Sequence, residues 1–412
     1  MTHSPGDPFV QAPSTEEEVA ELLREASAER RPVTVLRGDG SAPHLPLPGA
    51  GDSPPDPLYL SLEKLDRVHE HEPADLTVTV GAGLRLQRMA DHLQEAGQWI
   101  PVDPPGGQAR RVGGLVAGGR WGPLHLGYGA PRDHVLGATL VTGDGRILEL
   151  GGKVVKNVAG FDLLRLAVGS RGRLGVVVRT TVRLHPIPAA DRTLLFPSQD
   201  HRELHLLALR LAGLPGSPAA LEVLAHGLLP VSRLEEIPPG GGVVALRLLG
   251  TPGGVEALTL LAEERAPIPP ATVLSDSASR EFFQAAADGV EGGRPWLRFS
   301  VLPSHLPELV KRLTPLLELL DGVPGGWWAT HARAGVLRLA LPTDPTDVMA
   351  GVPDLLESVG DWVASVGGGY RRGGDPTLPG QESPPRIQRL QEGIRRVFDP
   401  AGVMRPLPQW HP

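Results

Sequence analysis

The stretch Gly151-Gly152-Lys153-Val154-Val155-Lys156-Asn157-Val158-Ala159-Gly160-Phe161-Asp162-Leu163 decides how this 412-residue chain is read. Lysine occurs only at Lys64, Lys153, Lys156 and Lys311, and Asn157 is the single asparagine. Two of the lysines and that asparagine therefore lie within five residues of one another, in a chain that elsewhere uses arginine. Arginine or serine would serve a chance surface turn, the plainer alternative, so these side chains point to a chemical role. Just downstream, Gly169-Ser170-Arg171-Gly172-Arg173-Leu174-Gly175 leads into the β-branched run 176–184. A glycine-rich turn feeding a long strand is suited to holding a cofactor against the backbone.

Composition narrows the classes. A chain of this length predicts two or three domains, each with its own core. The net charge of −7 is spread among interspersed acids and bases, which argues against nucleic acid as a partner. No apolar run approaches the roughly 18 residues of a membrane span, and Met1-Thr2-His3-Ser4-Pro5-Gly6 has no signal-peptide pattern. A soluble, cytoplasmic protein is expected, peripheral at a membrane only through partners. With no cysteine, the chain can supply no disulfide, thiolate metal site or iron–sulfur ligand. No metal site is expected. Any redox chemistry has to come from a non-thiol cofactor or from a partner.

Up to about residue 190 helices and strands alternate. Thr15 and Glu18 predict a capping box opening a helix that runs to about Arg30. Strands are predicted at 33–36, 58–60, 76–80, 137–141 and 147–150. An amphipathic helix is expected from Arg85 to Ala96, with Leu86, Met89, Ala90 and Leu93 on one face. The segment from Pro101 to Gly129 reads as glycine- and proline-rich loop. Pro186-Ile187-Pro188 marks a boundary. Beyond it come strand–helix–strand units, with helices at 201–212, 254–264, 306–319 and 347–358 and a last strand near 365–370. Two adjacent βαββαβ units predict a duplicated ferredoxin-like α+β domain over 191–380. An arginine-rich helix and tail, 381–412, is expected to return to the first domain, 1–190.

Three glycine runs invite a nucleotide reading. Gly81-Ala82-Gly83 follows a strand and precedes a helix, but Leu86 occupies the third glycine position of a dinucleotide fingerprint, leaving a tight turn. Gly151-Gly152-Lys153 is followed by Val154 where a phosphate-binding loop needs Ser or Thr. Arg37-Gly38-Asp39-Gly40-Ser41 differs: after a strand, freed backbone N–H groups can form a nest for an anion. It gains weight from Pro104-Pro105-Gly106-Gly107 and from Arg111-Val112-Gly113-Gly114-Leu115-Val116-Ala117-Gly118-Gly119. Small apolar residues alternate there with glycine where a linker would place serine.

In this order the segments resemble the FAD-binding domain of the vanillyl-alcohol oxidase/p-cresol methylhydroxylase superfamily, and within it the glycolate oxidase FAD-binding subunits. Lys156-Asn157-Val158-Ala159-Gly160-Phe161-Asp162-Leu163 resembles that family's K-N-x-A-G-Y-D-L, with Phe161 for tyrosine. The likeness covers about residues 15–190 and returns at Val397–Pro406. It implies an α+β fold in which a two-part FAD-binding domain precedes the ferredoxin-like one. It also implies cofactor contacts from Arg37, Gly38, Asp39, Gly40, Ser41, Pro105, Val112, Gly113, Gly114, Ala117, Gly172, Gly175 and Val176. Ser41 stands where covalent flavoproteins of the superfamily carry histidine, so the FAD is expected to be non-covalent.

Two departures bear on function. Arg171 and Arg173 replace an acid and a small polar residue of the usual turn. Catalytic relatives carry a C-terminal H-x-G-D-G-N-x-H, whereas here His331-Ala332-Arg333-Ala334-Gly335-Val336-Leu337-Arg338 lacks the acid, the asparagine and the second histidine. As strand residues, 331, 333 and 335 would share one face, allowing His331 as base and Arg333 or Arg338 as carboxylate anchor; a lone histidine is otherwise structural. No catalytic residue is therefore assigned. The resemblance implies a FAD-binding redox subunit of a glycolate-oxidising complex, partnered by a catalytic flavoprotein subunit and an iron–sulfur subunit. A free-standing FAD-dependent dehydrogenase of a hydroxy acid or sugar acid, and a non-catalytic scaffold, remain the alternatives.

Overall fold

The computed structural model describes residues 10–36, 57–119, 122–152, 162–216, 218–229, 241–289, 296–323, 325–342, 352–373 and 385–404. The turn 37–41 and the run 153–161, with Lys153, Lys156 and Asn157, lie outside the described residues. The chain forms two units. One takes Met1–Trp121, Gly129–Ile187 and Ser383–Gln409; the other is built on Gly122–Tyr128 and Pro188–Glu382. The short insert Gly122–Tyr128 is thus part of the second unit and not of the first, because Gly127 N–H donates to Ala219 C=O at 3.1 Å and Leu126 packs on that unit's core.

In the first unit, Thr15 caps α1 (Glu16–Glu29): its hydroxyl accepts from the Glu18 N–H at 3.1 Å. The return bond of this box lands one residue upstream, where Glu18 Oε2 accepts from Ser14 N–H at 2.7 Å. Val19, Ala20, Leu23 and Ala26 of α1 pack with Val33, Leu58 and Leu60. Those residues belong to a small parallel sheet of β1 (Val10–Gln11), β2 (Val33–Val35) and β3 (Leu58–Leu60), in the order β1-β3-β2.

An antiparallel sheet follows, from β4 (Val68–Glu72), β5 (Thr77–Gly81), β7 (Val135–Val141), β8 (Ile147–Gly151) and β9 (Val176–Arg183), in the order β4-β5-β9-β7-β8. A two-residue ladder pairs β6 (Gln98–Trp99) with β10 (His185–Pro186). The central strand β9 is covered on both sides at its start, where Val176, Val177 and Val178 are buried in succession, while Arg179, Thr181 and Arg183 alternate as a more open polar face. Val177 and Val182 enter the core beneath α2 (Leu86–Gln94) and α3 (Val112–Gly118), while Val176 and Val178 enter the α1 core. Each such burial contributes about 1.5–3 kcal/mol relative to exposure.

The loop expected from Pro101 to Gly129 is not all loop: Val112–Gly118 is helical. Its apolar residues Val112, Leu115 and Val116 fall at helical spacing and are buried; packing on the sheet overrides the cost of three glycines. At the far end of the chain α12 (Pro385–Phe398) leads into Asp399, whose buried carboxylate accepts from Val403 and Met404 N–H, both at 2.9 Å. Met404 then bridges to Val33 of β2.

The second unit is an eight-stranded antiparallel sheet. Its first half runs β11 (Ala190–Ser198), α7 (His201–Ala212), β12 (Ala220–Ala225), β13 (Gly242–Gly250), α8 (Pro252–Arg265), β14 (Thr272–Ser275). The second half runs β15 (Trp296–Ser300), α10 (Leu306–Asp321), β16 (Trp327–His331), β17 (Val336–Ala340), α11 (Val352–Ser365), β18 (Gly369–Gly373). The strand order is β14-β11-β13-β12-β16-β17-β15-β18, so each half shows the same permutation and the halves join at β12 and β16. Helices α7, α8, α10 and α11 cover one face. The other face receives α9 (Asp276–Gly289) through Phe282, Phe283 and Ala286, a helix not expected from the sequence. The helix expected at 347–358 is seen as Val352–Ser365, running past position 358, and the last strand begins at Gly369. Among the described residues no helix is long and apolar enough to cross a membrane.

Candidate functional site

In the first unit the glycines fall into two kinds. Gly81 and Gly83 exist for close packing: a Cβ on them would stand 2.1 Å from Leu65 C=O and 1.9 Å from Leu62 C=O. This is a tight turn, as the missing third glycine implied. The turn anchors α3, since Val112 N–H donates to Leu84 C=O at 3.0 Å and Gly113 N–H to Ala82 C=O at 2.8 Å. Arg111 ties down the same corner by donating from Nη1 to Gly83 C=O at 2.6 Å. Gly113 faces inward; a Cβ there would lie 2.6 Å from Ala82 Cβ.

Gly114 faces the other way. It is exposed, and a Cβ there would meet no atom of the described residues within 4 Å. With Ala117 and Gly118 it gives α3 an outer face with almost no side chain, since positions three and four apart share a helix face. Against the end of α3 lies the turn 169–172: Gly169 N–H donates to Val116 C=O at 3.0 Å and Arg171 N–H to Ala117 C=O at 2.8 Å. Arg171 holds a left-handed φ of 58°, a conformation costing a non-glycine residue about 1–2 kcal/mol. Ser170 Oγ is buried and finds no hydrogen-bond partner among the described residues. A flat face free of side chains beside an orphaned hydroxyl fits a planar, phosphate-bearing cofactor.

Of the cofactor residues expected from the sequence, Gly114, Ala117 and Gly172 lie on this surface or its turn. Val112 and Gly113 are on the buried side of α3, and Val176 is in the core. Gly175 is a packing glycine, its hypothetical Cβ 2.2 Å from Val141 C=O. Pro105 is buried, its carbonyl accepting from Arg110 Nε at 2.7 Å. Arg37, Gly38, Asp39, Gly40 and Ser41 are outside the described residues.

A second polar cluster is built into the other unit's sheet. β16 ends at His331; 332–334 form a 3₁₀ turn and Gly335 takes φ 65° before β17 begins. Residues 331, 333 and 335 therefore do not share a strand face, and Arg333 belongs to the turn. Gly335 is required there, because a Cβ would stand 1.9 Å from Val301 C=O. The next strand brings Arg338 back to His331, with Nη2–H donating to Nε2 at 2.9 Å. His331 Nδ1 meets Glu222 Oε1, and Glu222 is buried.

His331 is thus not alone: it bridges a carboxylate and a guanidinium. Nδ1 carries the proton for Glu222, and the Nε2 lone pair is taken by Arg338. Burial, then the charges of Arg338, His125 and Arg298, hold the ring well below the ordinary histidine range. Burial lowers Arg338 to about 10, opposed by Glu222 and assisted by Arg298; it stays charged at neutral pH. The ring of His125, from α4 (His125–Tyr128), stands edge-on at 5.2 Å from that of His331. His125 Nδ1 donates to Gly122 C=O at 2.9 Å, and burial keeps this ring neutral as well.

Glu222, Arg298 and His125 were not anticipated. Glu222 and Arg298 carry a readable signal, each a single charge inside an apolar strand, Ala220-Leu221-Glu222-Val223-Leu224 and Trp296-Leu297-Arg298-Phe299-Ser300. His125 carries none.

Residues 8–151 match the FAD binding domain family, so a FAD-binding domain is matched over that segment of the chain. Among curated proteins it is similar to glycolate oxidase subunit GlcE of Escherichia coli (strain K12), 36% identical over 175 residues, 42% of this chain and 48% of that protein. It is likewise similar to D-lactate dehydrogenase of Archaeoglobus fulgidus, 36% identical over 191 residues, 46% of this chain and 41% of that protein. D-2-hydroxyglutarate dehydrogenase of Xanthomonas citri pv. viticola is 35% identical over 199 residues, 48% of this chain and 41% of that protein. The matched segments thus span about half or less of these relatives. Solved alkyldihydroxyacetonephosphate synthase shares the fold, with a TM-score of 0.65 at 16% identity, covering 96% of this chain and 75% of that one.

Proposed function

We propose that this chain is the FAD-binding redox subunit of a complex that oxidises small 2-hydroxy acids, glycolate among them, beside a catalytic flavoprotein and an iron–sulfur subunit. FAD, when bound, supplies a two-electron acceptor. The chain's part is to seat it: the outer face of α3 offers only Gly114, Ala117 and Gly118, and Ser170 Oγ is a free partner for a phosphate or ribose oxygen. The relatives named as glycolate oxidase subunit, D-lactate dehydrogenase and D-2-hydroxyglutarate dehydrogenase support the substrate class. The observation that carries the subunit reading is His331. At the place where a catalytic base would stand, its free lone pair is spent on Arg338, so no base is available without breaking that bond. A partner surface is supported by α12, where Leu390 and Val397 are exposed next to Arg389 and Arg396.

The test is spectroscopic, then kinetic. Purified protein should be yellow, and acid precipitation should release all of the colour, as expected with serine at position 41. Steady-state assays with glycolate, D-lactate and an artificial electron acceptor should give little turnover. A rate near the roughly 10 per second typical of enzymes would show a complete catalyst and overturn the subunit reading; colourless protein that takes up no flavin would overturn the redox role.

A further inference from the structure

Arg338, Arg298 and Arg371 form a row across three neighbouring strands. Arg298 of β15 is directly opposite Arg338 of β17 on one side and Arg371 of β18 on the other. Residues opposite one another in antiparallel strands share a face, and like charges so placed destabilise a sheet. Among the described residues the one carboxylate acting on the row is Glu222, which pairs with His331 and acts on Arg338. Arg298 has no hydrogen bond or ion pair among the described residues; after burial, the charge that acts on it is Arg371, which is also positive. Arg338 is 8% exposed, and the Nε atoms of both Arg298 and Arg338 are buried without an acceptor. Buried cations are normally paired, and an unpaired guanidinium N–H forfeits the strongest class of hydrogen bond.

Among the described residues three guanidinium groups face one carboxylate, and His331 is neutral, so the row there holds an excess of two positive charges. We propose that the row Arg338–Arg298–Arg371 is a binding site for a short-chain dicarboxylate. One carboxylate would be accepted between Arg338 and Arg298 and the other between Arg298 and Arg371. Neighbouring strands are about 4.8 Å apart, a step that a short diacid can span and a single carboxylate cannot. The apolar cluster containing Trp296, two residues along β15 on the same face, closes one side, and Ser300 offers a hydroxyl on the other.

The site stands apart from the flavin reading, and its test reads binding instead of turnover. The full chain, loaded with FAD, is titrated calorimetrically at constant ionic strength with glycolate, D-lactate, succinate, D-2-hydroxyglutarate and sodium sulfate. Both dicarboxylates should bind at least about tenfold more tightly than either monocarboxylate, the gain of one charge-assisted contact. Reduction of the flavin by D-2-hydroxyglutarate but not succinate would make the ligand a substrate, and binding without reduction would make it an effector; either agrees with the site. Arg298→Gln should abolish the preference while leaving flavin absorbance unchanged and the unliganded melting temperature no lower. Arg371→Gln, at an exposed position, should weaken dicarboxylates toward the monocarboxylate level and serves if the first variant does not fold. Equal affinity for mono- and dicarboxylates, or unchanged affinity in both variants, would overturn the proposal. So would sulfate binding as tightly as the diacids, which marks an adventitious ion only.

Discussion

Arg338 donates its Nη2–H to the Nε2 of His331 across 2.9 Å, from the strand next to it. A histidine held this way is an acceptor already in use, with its tautomer set by Glu222 on the opposite ring nitrogen. Nitrogen NMR of histidine-labelled protein should show His331 neutral, protonated on Nδ1, with no titration between pH 8 and pH 5. Protonation near the ordinary value of about 6.5 would mean that the bridge does not form.

His205 extends the pH argument. It is fully enclosed, with Nδ1 donating to His201 C=O at 2.6 Å and Nε2 accepting from Thr330 Oγ1 at 2.9 Å. Burial lowers it to about 4. The unfolded chain takes up its proton near pH 6.5 and the folded chain does not, so stability is intact above 6.5 and falls as the pH drops toward 4. The loss from His205 is on the order of 3 kcal/mol, and His331 adds to it. Urea unfolding at pH 8, 6 and 5 measures the slope; equal midpoints across that range would contradict it.

The two adjacent glycines of α3 should respond in opposite ways. Gly113→Ala places a methyl against Ala82 and should cost about 1–3 kcal/mol. Gly114→Ala fills no protein space and should raise the stability of the flavin-free chain by about 0.5–1 kcal/mol through helix propensity, while Gly114→Val should remove bound flavin from a folded protein. Melting temperature and the flavin-to-protein absorbance ratio separate the two effects. Full flavin content in soluble Gly114→Val would remove the ring from this face.

Arg247 and Asp191 form a buried two-point ion pair, Nε to Oδ1 at 3.1 Å and Nη2 to Oδ2 at 2.7 Å. Arg247→Ala strands the carboxylate beside Ser279 and should destabilise the second unit by about 3–5 kcal/mol. The double change Arg247→Met with Asp191→Leu should recover most of that. A double variant no better than the single one would show that the pair does more than neutralise itself.

Asp399→Ala should release the segment that reaches β2, because the backbone N–H groups of Val403 and Met404 both lose their acceptor. Each buried group left unpaired costs about 1–3 kcal/mol. Hydrogen exchange at Val403, Met404 and Val33 should accelerate together; unchanged protection at Val33 would separate the tail from the strand.

Much of the first unit was legible because its signals are local. Thr15 and Glu18 mark a helix start, and Leu86, Met89 and Leu93 mark a buried stripe. What escaped had a local signal pointing elsewhere. The glycines of α3 imitate loop while Val112, Leu115 and Val116 keep helical period, and the polar Val68-His69-Glu70-His71-Glu72 gives no alternation although it forms edge strand β4. The cluster around His331 was out of reach for another reason. Its members come from β12, β15, β16, β17 and α4, and only the register of a long-range sheet puts Glu222 or Arg298 beside its neighbours.

The joint between the two halves of that sheet is narrow. β12 and β16 share two register pairs, Val223 with Thr330 and Leu224 with Ala329, whereas β11 and β13 share nine. Glu222 and His331 sit one step beyond the joint and clasp it. Away from the sheet the halves share one core, in which α7 of the first packs with α10 of the second, and His201 pairs with Asp321 across them. Within the sheet the seam is only two residues long, with a carboxylate and an imidazole as its fastener.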